Sequence, residues 1–265
     1  MKIQKAAKSY ASIQVIDRLV SLLDAIARYR EPASLKLLSA ETGLHTSTAF
    51  RILASLESHG LVERDRVGRY RLGSKLLHLG GRTHRELDLR EEARPVLEWL
   101  RGELDETVNL TVPEGDEAVY VERATTRKVM RVEHVIGSRA PLHVTAVGKL
   151  FLAERGARGC AEYAARSGLR ALTPNTITDA ARLESEVAAA ARQGYALDTE
   201  EAEQGVGCIA VPVRDASGSV VAALSVSAPL ERRRLEWVSV LQQGAARLSE
   251  RLGYDSTAPE RQRAN

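Results

Sequence analysis

The spacing of apolar residues changes from a helical period to an extended period at about residue 107. Between residues 13 and 29 they recur at every third or fourth position, which is the pattern of an amphipathic helix. The apolar positions of this stripe are Ile16, Leu19, Val20, Leu23, Ile26 and Ala27. From Thr107 onward, Val108, Leu110 and Val112 alternate with other residues, as in a β-strand. The pattern therefore predicts a helical N-terminal part and a second part that contains a sheet.

Two further helices are predicted before residue 60. Ser34 can cap a short helix that buries Leu35 and Leu38, and Gly43 supplies the left-handed residue that ends it. The third helix lies within residues 45–60. An ordinary surface helix would display pairs of Glu and Lys on its exposed face. This one buries Ala49, Ile52, Leu53 and Leu56 and exposes Ser47, Phe50, Arg51 and Ala54. Its exposed face is therefore short, polar and basic, with one aromatic ring.

A basic hairpin follows the third helix. The segment LVERDRVGRYRLG predicts two short strands joined by a turn at residues 65–68. It carries four arginines, which are Arg64, Arg66, Arg69 and Arg71. Three helices and a basic hairpin predict a winged helix-turn-helix, whose third helix enters the DNA major groove while the wing contacts the backbone or minor groove. A winged helix that binds protein is the alternative, although its wing would not need four arginines.

The candidate DNA contacts lie at the start of the third helix and on the hairpin. Free N–H groups at the helix N-terminus attract a phosphate oxygen, and small hydroxyl residues there allow close backbone approach. Arg51 can reach a guanine edge or another phosphate. The predicted DNA-binding residues are Thr46, Ser47, Thr48, Phe50, Arg51, Arg64, Arg66, Arg69 and Arg71.

The distribution of charge favours a polyanionic partner for the first third of the chain. The 265 residues carry a formal net charge of +3, but residues 1–80 contain 13 Lys and Arg against 7 Asp and Glu. The remaining residues are acidic overall, so the basic charge is confined to the predicted winged helix. A hydrophobic content of 44% with a charged content of 28% is typical of a globular protein. A solvated basic face is the alternative interpretation.

Composition also limits the compartment and the cofactors. Cys160 and Cys208 form neither a disulfide framework nor a zinc pattern, which favours a reducing compartment. His78 and His84 are spaced onto different helix faces and no other His or Cys cluster exists, so no metal and no cofactor are predicted. The apolar runs are too short for a membrane span, and residues 1–11 lack the apolar core of a signal peptide. We therefore expect a cytoplasmic protein with no membrane partner.

The second part is predicted to form an α+β domain of antiparallel strands flanked by helices. The predicted strands cover residues 107–112, 118–121, 129–132, 195–198, 208–214 and 220–227. The predicted helices cover residues 146–153, 179–193 and about 230–252. A turn at residues 215–218 joins the last two strands as a hairpin.

The two parts are joined by residues 74–102, which predict two helical segments that meet at Gly80-Gly81, a candidate hinge. We expect a winged helix-turn-helix domain over residues 1–80, a helical linker over residues 81–102 and a second domain over residues 103–255. The polar segment over residues 256–265 is predicted to be disordered.

Small polar side chains interrupt the apolar strands of the second domain at Asp198, Cys208, Ser225 and Ser227. Ser225 and Ser227 are two residues apart, so both hydroxyls face the same side of the sheet. Buried polar groups need partners, which can be backbone groups or a ligand. Cys208, in GVGCIAVP, has no motif nearby that supplies a base for a nucleophile or further ligands for a metal, which leaves pocket lining or core filling. The glycines beside it allow close approach of a ligand or mark a bulge.

Several separated motifs occur in the order found in the IclR family of bacterial transcriptional regulators, which the chain resembles. They are SIQVIDRLVSLLDAI, TSTAFRILASLESHGLVER, GRYRLGSKLLHLG, GYALDTEEAEQGVGCIAVPVRD and ALSVSAP. The resemblance runs from about Ala11 to Tyr254. One departure is His45-Thr46, where the family often has Pro-Arg or Pro-Lys ahead of Ser-Thr.

The resemblance implies an effector-binding second domain similar to the GAF and PAS type of sensor fold. In the family, the positions that match Asp198, Cys208, Ser225 and Ser227 line a pocket for a small organic acid, together with the backbone at Ala146 and Val147. It implies a homodimer or homotetramer that binds double-stranded operator DNA and controls a catabolic operon in response to a metabolite. An enzyme acting on a small carboxylate, with the winged helix as an interaction arm, and a ligand-free architectural DNA binder are the alternatives.

Overall fold

The computed structural model describes residues 13–76, 78–79 and 88–256. The described residues up to 79 belong to one compact unit, and those from 88 onward belong to a second. Three predictions concern positions outside the described residues. They are the hinge at Gly80-Gly81, the position of His84 and the tail from residue 257 onward.

The first unit contains the predicted three helices and hairpin. Its elements are α1 (Gln14–Ala27), α2 (Leu35–Thr42), α3 (Thr46–Ser58), β1 (Val62–Arg64) and β2 (Tyr70–Leu72). The Ser34 hydroxyl accepts a hydrogen bond from the Leu37 N–H and caps α2, and Gly43 ends this helix at a φ of +66°. The core forms between the helices and Tyr70 of the hairpin. The predicted winged helix-turn-helix fold is confirmed.

The predicted apolar stripe of α1 is only partly correct. The core takes Leu22, Ala25 and Ile26, all in the second half of the helix, whereas Ile16 and Val20 are about half exposed. The other elements of this unit bury only one side of the second half of α1. Helical spacing by itself does not reveal how far along a helix its neighbours extend.

The second unit is built on a six-stranded antiparallel sheet with the strand order β5-β4-β3-β8-β7-β6. Its strands are β3 (Thr107–Glu114), β4 (Glu117–Ala124), β5 (Arg139–Pro141), β6 (Ala196–Thr199), β7 (Val206–Arg214) and β8 (Val220–Pro229). Its helices are α4 (Leu89–Leu104), α5 (Ala146–Glu154), α6 (Gly156–Ser167), α7 (Ala180–Gln193) and α8 (Trp237–Arg251). The predicted α+β class and the hairpin between β7 and β8 are confirmed.

The two faces of this sheet differ in character. One face is aliphatic, with residues such as Leu110 and Leu224, and packs against α4 and α8. The helix α4, which the sequence assigns to the linker, therefore packs as part of the second unit. The other face mixes small residues such as Ala210 with the buried polar residues Asn109 and Ser225. It packs mainly against α5, which α6 and α7 flank. A buried face of this composition leaves room and hydrogen-bonding groups for a ligand.

Two predicted elements differ from the structure. Residues 129–132 form no strand, and Val129 is 98% exposed. The strand β5 pairs with β4 only over residues 117–119, and residues 129–132 pair with no described strand. The last helix begins at Trp237 rather than at Leu230. A short 3-10 turn precedes it, after which Arg233 leaves the helical region and donates to the carbonyl of Asp198. In the part of the chain that the structure describes, no helix has both the length and the apolar character to cross a membrane.

Candidate functional site

The exposed face of α3 presents polar groups and one aromatic ring to solvent. His45 caps this helix, since its ring Nδ1 accepts from the Ser47 N–H and lies 2.8 Å from the Ser47 hydroxyl. Thr46, Phe50 and Arg51 are exposed, and Thr48 is half-buried. All four predicted apolar positions of α3 are buried, so the packing of the helix fixes which side faces outward.

Arg51 lies in a groove between α3 and α1. This groove has a volume of about 340 Å³, and its wall includes a second guanidinium, that of Arg18. Among the described residues neither arginine has an ion-pair partner. Sequence reasoning did not select Arg18, because it lies on a different element and only the tertiary packing brings it beside Arg51.

The four wing arginines are exposed, but their surroundings differ. Arg69 forms an ion pair with Asp65 at 2.9 Å, and Arg71 forms one with Glu63 at 2.6 Å. The guanidinium of Arg64 lies 5.5 Å from the centre of the Tyr70 ring. Arg66 stands at the turn and has no ion-pair partner among the described residues.

The carboxylate of Asp65 organises the tip of the wing. It accepts hydrogen bonds from the N–H groups of Arg69 and Val67 at 2.8 and 2.9 Å. The bond from Arg69 is the main reason that the pKa of Asp65 is lowered, so the carboxylate stays ionised. Gly68, at a φ of +87°, lets the chain reverse here. The turn therefore holds the guanidinium of Arg66 outward on a well-defined loop.

In the second unit a cavity of about 160 Å³ lies on the polar face of the sheet. Its wall includes Ala146, Val147, Asp198, Cys208 and Ser225, which are five of the six predicted effector residues. The remaining wall residues are Tyr120, His134, Ser138, Arg139, Ala140, Thr145, Ala202, Glu203 and Val206. Pockets for drug-sized ligands measure roughly 300–1,000 Å³, so this cavity suits a smaller molecule.

Strand register explains why the polar residues meet. Asp198 on β6 pairs with Cys208 on β7, which pairs with Ser227 on β8. Directly opposite residues in an antiparallel sheet project to the same face. Ser225, two residues before Ser227, lies on this face as well and pairs with Asn109 on β3. Three consecutive pairings therefore assemble one polar surface from segments up to about 120 positions apart in the chain.

The N-terminus of α5 supplies two N–H groups at the cavity wall. The Thr145 hydroxyl accepts from the Gly148 N–H at 3.0 Å, which leaves the N–H groups of Ala146 and Val147 without partners in the helix. A Cβ at Gly148 would lie 2.1 Å from the carbonyl oxygen of Leu142, so only glycine allows this approach. The free N–H groups and the positive end of the helix favour an anionic ligand here.

Asp198 is almost fully buried and also contributes to the cavity wall. Its pKa is raised to about 7, chiefly by burial. The carboxylate of Glu201 also raises this pKa, whereas the hydrogen bond from the Glu201 N–H, at 2.8 Å, lowers it. The carboxyl can therefore donate or accept a hydrogen bond near neutral pH. Glu201 in turn binds the buried ammonium of Lys149 at 2.7 Å. Lys149 was missed by sequence reasoning, and its one signal was a lone lysine in the apolar run AVGKLFLA.

Ser227, the sixth predicted effector residue, lies behind the cavity wall. Its hydroxyl oxygen accepts from the Cys208 thiol and from the Asn109 amide, both at 3.3 Å, and lies 3.3 Å from Nε2 of His134. Burial raises the pKa of the Cys208 thiol and the neighbouring Asp198 raises it further, so Cys208 remains protonated. Ser227 therefore positions three neighbouring side chains.

Tyr120 and His134 form a wall that the sequence did not indicate. Their rings stack with centroids 4.2 Å apart and an angle of 14°. Burial, together with the nearby guanidinium of Arg123, lowers the pKa of His134 to about 4, so the imidazole is neutral. His134 belongs to the loop of residues 125–138. Because a strand was predicted at residues 129–132 within that loop, sequence reasoning did not indicate that His134 reaches the cavity.

The glycine beside Cys208 is needed for packing. A Cβ on Gly207 would lie 2.9 Å from Cδ1 of Leu230 and 3.1 Å from Cδ of Arg233. The register shift between β7 and β8 falls at Val213 and Arg214, so Gly207 is not at a bulge. Since side chains alternate along a strand, a Cβ here would project to the face opposite Cys208. Close approach of a ligand is therefore not the reason for this glycine.

Comparison with known proteins agrees with this architecture. Residues 82–249 match the family model "Bacterial transcriptional regulator IclR C-terminal", and residues 15–66 match the model "IclR helix-turn-helix domain". The chain belongs to the IclR family of bacterial transcriptional regulators. The resemblance found in the sequence motifs is thus confirmed, and the helix-turn-helix unit is the DNA-binding part of an IclR regulator.

Individual IclR-family proteins align over nearly the whole chain. The HTH-type transcriptional regulator XynR of Escherichia coli (strain K12) is 34% identical over 247 residues, which is 91% of this chain and 98% of XynR. The crystal structure of the Agrobacterium tumefaciens repressor BlcR superposes with a TM-score of 0.74 at 28% identity, covering 92% of this chain and 99% of BlcR. An IclR homologue from Microbacterium hydrocarbonoxydans, crystallised with 4-hydroxybenzoate, has a TM-score of 0.59 at 29% identity and covers 90% and 98% of the two chains.

Proposed function

We propose that this regulator binds a small organic acid in the cavity of the second unit and that the bound acid changes its affinity for operator DNA. The convergence of five predicted effector residues on one cavity, with two unpaired helix N–H groups, carries the proposal. The homologue crystallised with 4-hydroxybenzoate supports a carboxylate as the ligand class. Such control is a coupling between two binding equilibria.

The proposed binding mode follows from the donors and acceptors in the wall. The carboxylate of the effector accepts hydrogen bonds from the N–H groups of Ala146 and Val147 and from the Ser225 hydroxyl. Cys208 packs against the middle of the ligand as a weakly polar contact. Asp198 faces the other end, where it exchanges a hydrogen bond with a hydroxyl or protonated group, since an ionised carboxylate there would repel it. Ser227 acts indirectly by positioning Cys208.

For operator DNA we propose that α3 enters the major groove and the wing lies along the backbone. Thr46, Ser47, Thr48, Phe50 and Arg51 form the groove-facing surface. The wing contributes Arg64, Arg66, Arg69 and Arg71. A homodimer or homotetramer suits this role because two-fold operators are read by symmetric pairs of recognition helices. The regulated genes would encode a catabolic pathway for the effector.

Regulation without turnover is favoured over the enzyme alternative. The Ser227 hydroxyl and the His134 imidazole lie in contact, as a nucleophile and its base would. With its pKa lowered to about 4, His134 is a poor base near neutral pH. No described carboxylate forms an ion pair or a hydrogen bond with its ring. The raised pKa of Cys208 keeps that side chain a thiol rather than a nucleophilic thiolate.

The effector site can be tested with the intact regulator and a panel of short carboxylates that includes 4-hydroxybenzoate. An acid that raises the melting temperature should also alter operator binding in a mobility-shift titration. Ser225→Ala should weaken binding of that acid by about 0.5–1.5 kcal/mol, roughly 2- to 12-fold, because one donor is lost. Ser219→Ala, at the exposed end of the same hairpin, is the control and should bind normally. Equal affinity of Ser225→Ala and the parent would place the site elsewhere.

The wing can be tested separately with Arg66→Ala. Because Arg66 has no ion-pair partner among the described residues, its removal should leave the hairpin intact and delete one phosphate contact. The slope of log affinity against log salt concentration should fall by about one unit on specific and nonspecific DNA alike. Val67→Ala, at the neighbouring 80% exposed position, should keep the full slope. A loss of sequence preference with an unchanged slope would mean that Arg66 reads a base.

A further inference from the structure

The loop of residues 125–138 connects β4 to β5 and places one ring at the effector cavity. The imidazole of His134 lies flat on the Tyr120 ring, and both rings contribute to the cavity wall. Its Nε2 is 3.3 Å from the hydroxyl of Ser227, which lies behind that wall. His134 therefore occupies space next to the cavity that part of a larger ligand would otherwise take.

Charged anchors hold this loop in position. Arg123 on β4 donates to the carbonyl of His134 and forms an ion pair with Glu133 at 2.6 Å. Nearer the start of the loop, the buried Glu106 accepts from Lys128 at 2.9 Å and from Arg232 at 2.7 Å. Arg123 therefore holds the backbone next to the ring, and Glu106, just before β3, holds the start of the loop.

Buried polar groups without partners lie beyond the ring. Thr107, Asn109 and Thr111 on β3 are fully buried, and each has a side-chain oxygen that no described group hydrogen-bonds. Register places all three on the polar face of the sheet. The Asn109 amide donates to the same Ser227 hydroxyl that contacts His134. Removing the imidazole would extend the cavity toward Ser227 and then toward Asn109.

The imidazole acts by filling space rather than by charge. With its pKa lowered, it is neutral at pH 7, and Nε2 lies within hydrogen-bonding distance of the Ser227 hydroxyl. A neutral planar ring offers no ionic anchor for a carboxylate, and the helix N-terminus already supplies one. A phenyl ring could occupy the same volume against Tyr120 without the bond to Ser227.

We infer that His134 determines the size specificity of the effector pocket: its imidazole closes the site on the side of Ser227 and Asn109 and limits it to short carboxylates. Longer acids would fit once this ring is removed, because their far ends could reach the buried polar groups of β3. The inference rests on the proposed effector function of the same cavity.

The test is calorimetric titration of the intact regulator with straight-chain 2-oxo acids from glyoxylate to 2-oxohexanoate. The parent protein should bind the shorter members best. His134→Ala should shift the optimum to longer members, with a gain for these relative to glyoxylate of about tenfold, the effect of one methylene in a fitted pocket. His134→Phe should retain the parental preference. Val135→Ala, at an exposed neighbouring position, is the control and should also retain it.

His134→Ser provides a second small variant in case the alanine variant folds poorly, and its short side chain also vacates the space of the ring. It should show the same shift to longer acids. If the parent binds these acids and the small variants keep its chain-length preference, His134 does not determine the size of the pocket. That result would not contradict the proposed effector site. If neither the parent nor any variant binds any of the 2-oxo acids or 4-hydroxybenzoate, both the proposed function and this inference are contradicted.

Discussion

Asp198→Asn should make the free regulator more stable at pH 8 by about 4 kcal/mol and should have almost no effect on stability at pH 4. The pKa of Asp198 rises from 3.8 to about 7 in the folded protein, chiefly through burial. Each unit of pKa difference between the folded and unfolded states corresponds to about 1.4 kcal/mol. Asparagine resembles the protonated carboxyl and avoids the cost of a buried charge.

The sign follows from proton binding. Between about pH 4 and pH 7 the folded protein holds the Asp198 proton more tightly than the unfolded chain does. Raising the pH through this window therefore lowers the free energy of unfolding of the parent, and above pH 7 the loss is complete. The free energy of unfolding of the asparagine variant does not fall in this way, because asparagine does not titrate. Urea unfolding at several pH values measures the difference directly.

Asp116→Asn is the matched control with the opposite sign. The guanidinium of Arg166, together with that of Arg155, lowers the pKa of Asp116. Its ion pairs therefore stabilise the fold above the unfolded pKa and are lost as the pH falls. Replacing it should reduce stability at neutral pH only. Parallel stability curves for Asp198→Asn and the parent would show that Asp198 titrates with an ordinary pKa.

Arg51→Ala should reduce operator affinity by about 1–3 kcal/mol, or roughly 5- to 150-fold, if its guanidinium forms a bidentate contact with a base. The side chain is exposed on α3, and no described residue forms an ion pair with it, so its loss should not disturb the fold. Effector binding in the second unit should not change. Fluorescence anisotropy with operator DNA and calorimetry with the effector measure the two affinities.

Arg28→Ala is the control for this experiment. Arg28 is an exposed arginine of the same unit, but its guanidinium pairs with Glu41 and lies outside α3. It should bind operator nearly as the parent does. Full operator affinity in Arg51→Ala would remove Arg51 from the interface, and an equal loss in both variants would point to general electrostatics rather than base recognition.

Local sequence was sufficient to predict most elements and the exposed face of α3 that we propose to bind DNA. The cap of α2 at Ser34, its end at Gly43 and the turn before β2 depend on residues within a few positions of each other. The exposed side of α3 follows from its own apolar spacing. The strand predicted at residues 129–132 is absent, because a strand needs a hydrogen-bonded partner and apolar spacing within one segment does not supply it.

In the proposed effector site, too, some residues could be predicted from the sequence and others could not. Motif resemblance identified Asp198, Cys208 and Ser225, and the structure places them on one cavity wall. His134 and Asn109 could not be predicted. His134 reaches the cavity through a loop held by charged anchors on other elements, and the partners of Asn109 depend on strand register.

The sequence by itself determined the winged helix, the α+β class, the basic first third and the residues that mark an IclR regulator, because these depend on local periodicity, turn chemistry and short motifs. Only the tertiary structure decided the size of the proposed effector cavity, the protonation of its wall and the position of Ser227 behind that wall. Those properties arise from burial and from register between distant strands. Burial raises the pKa of Asp198 and lowers that of His134, and neither environment exists until the sheet and the loop are assembled.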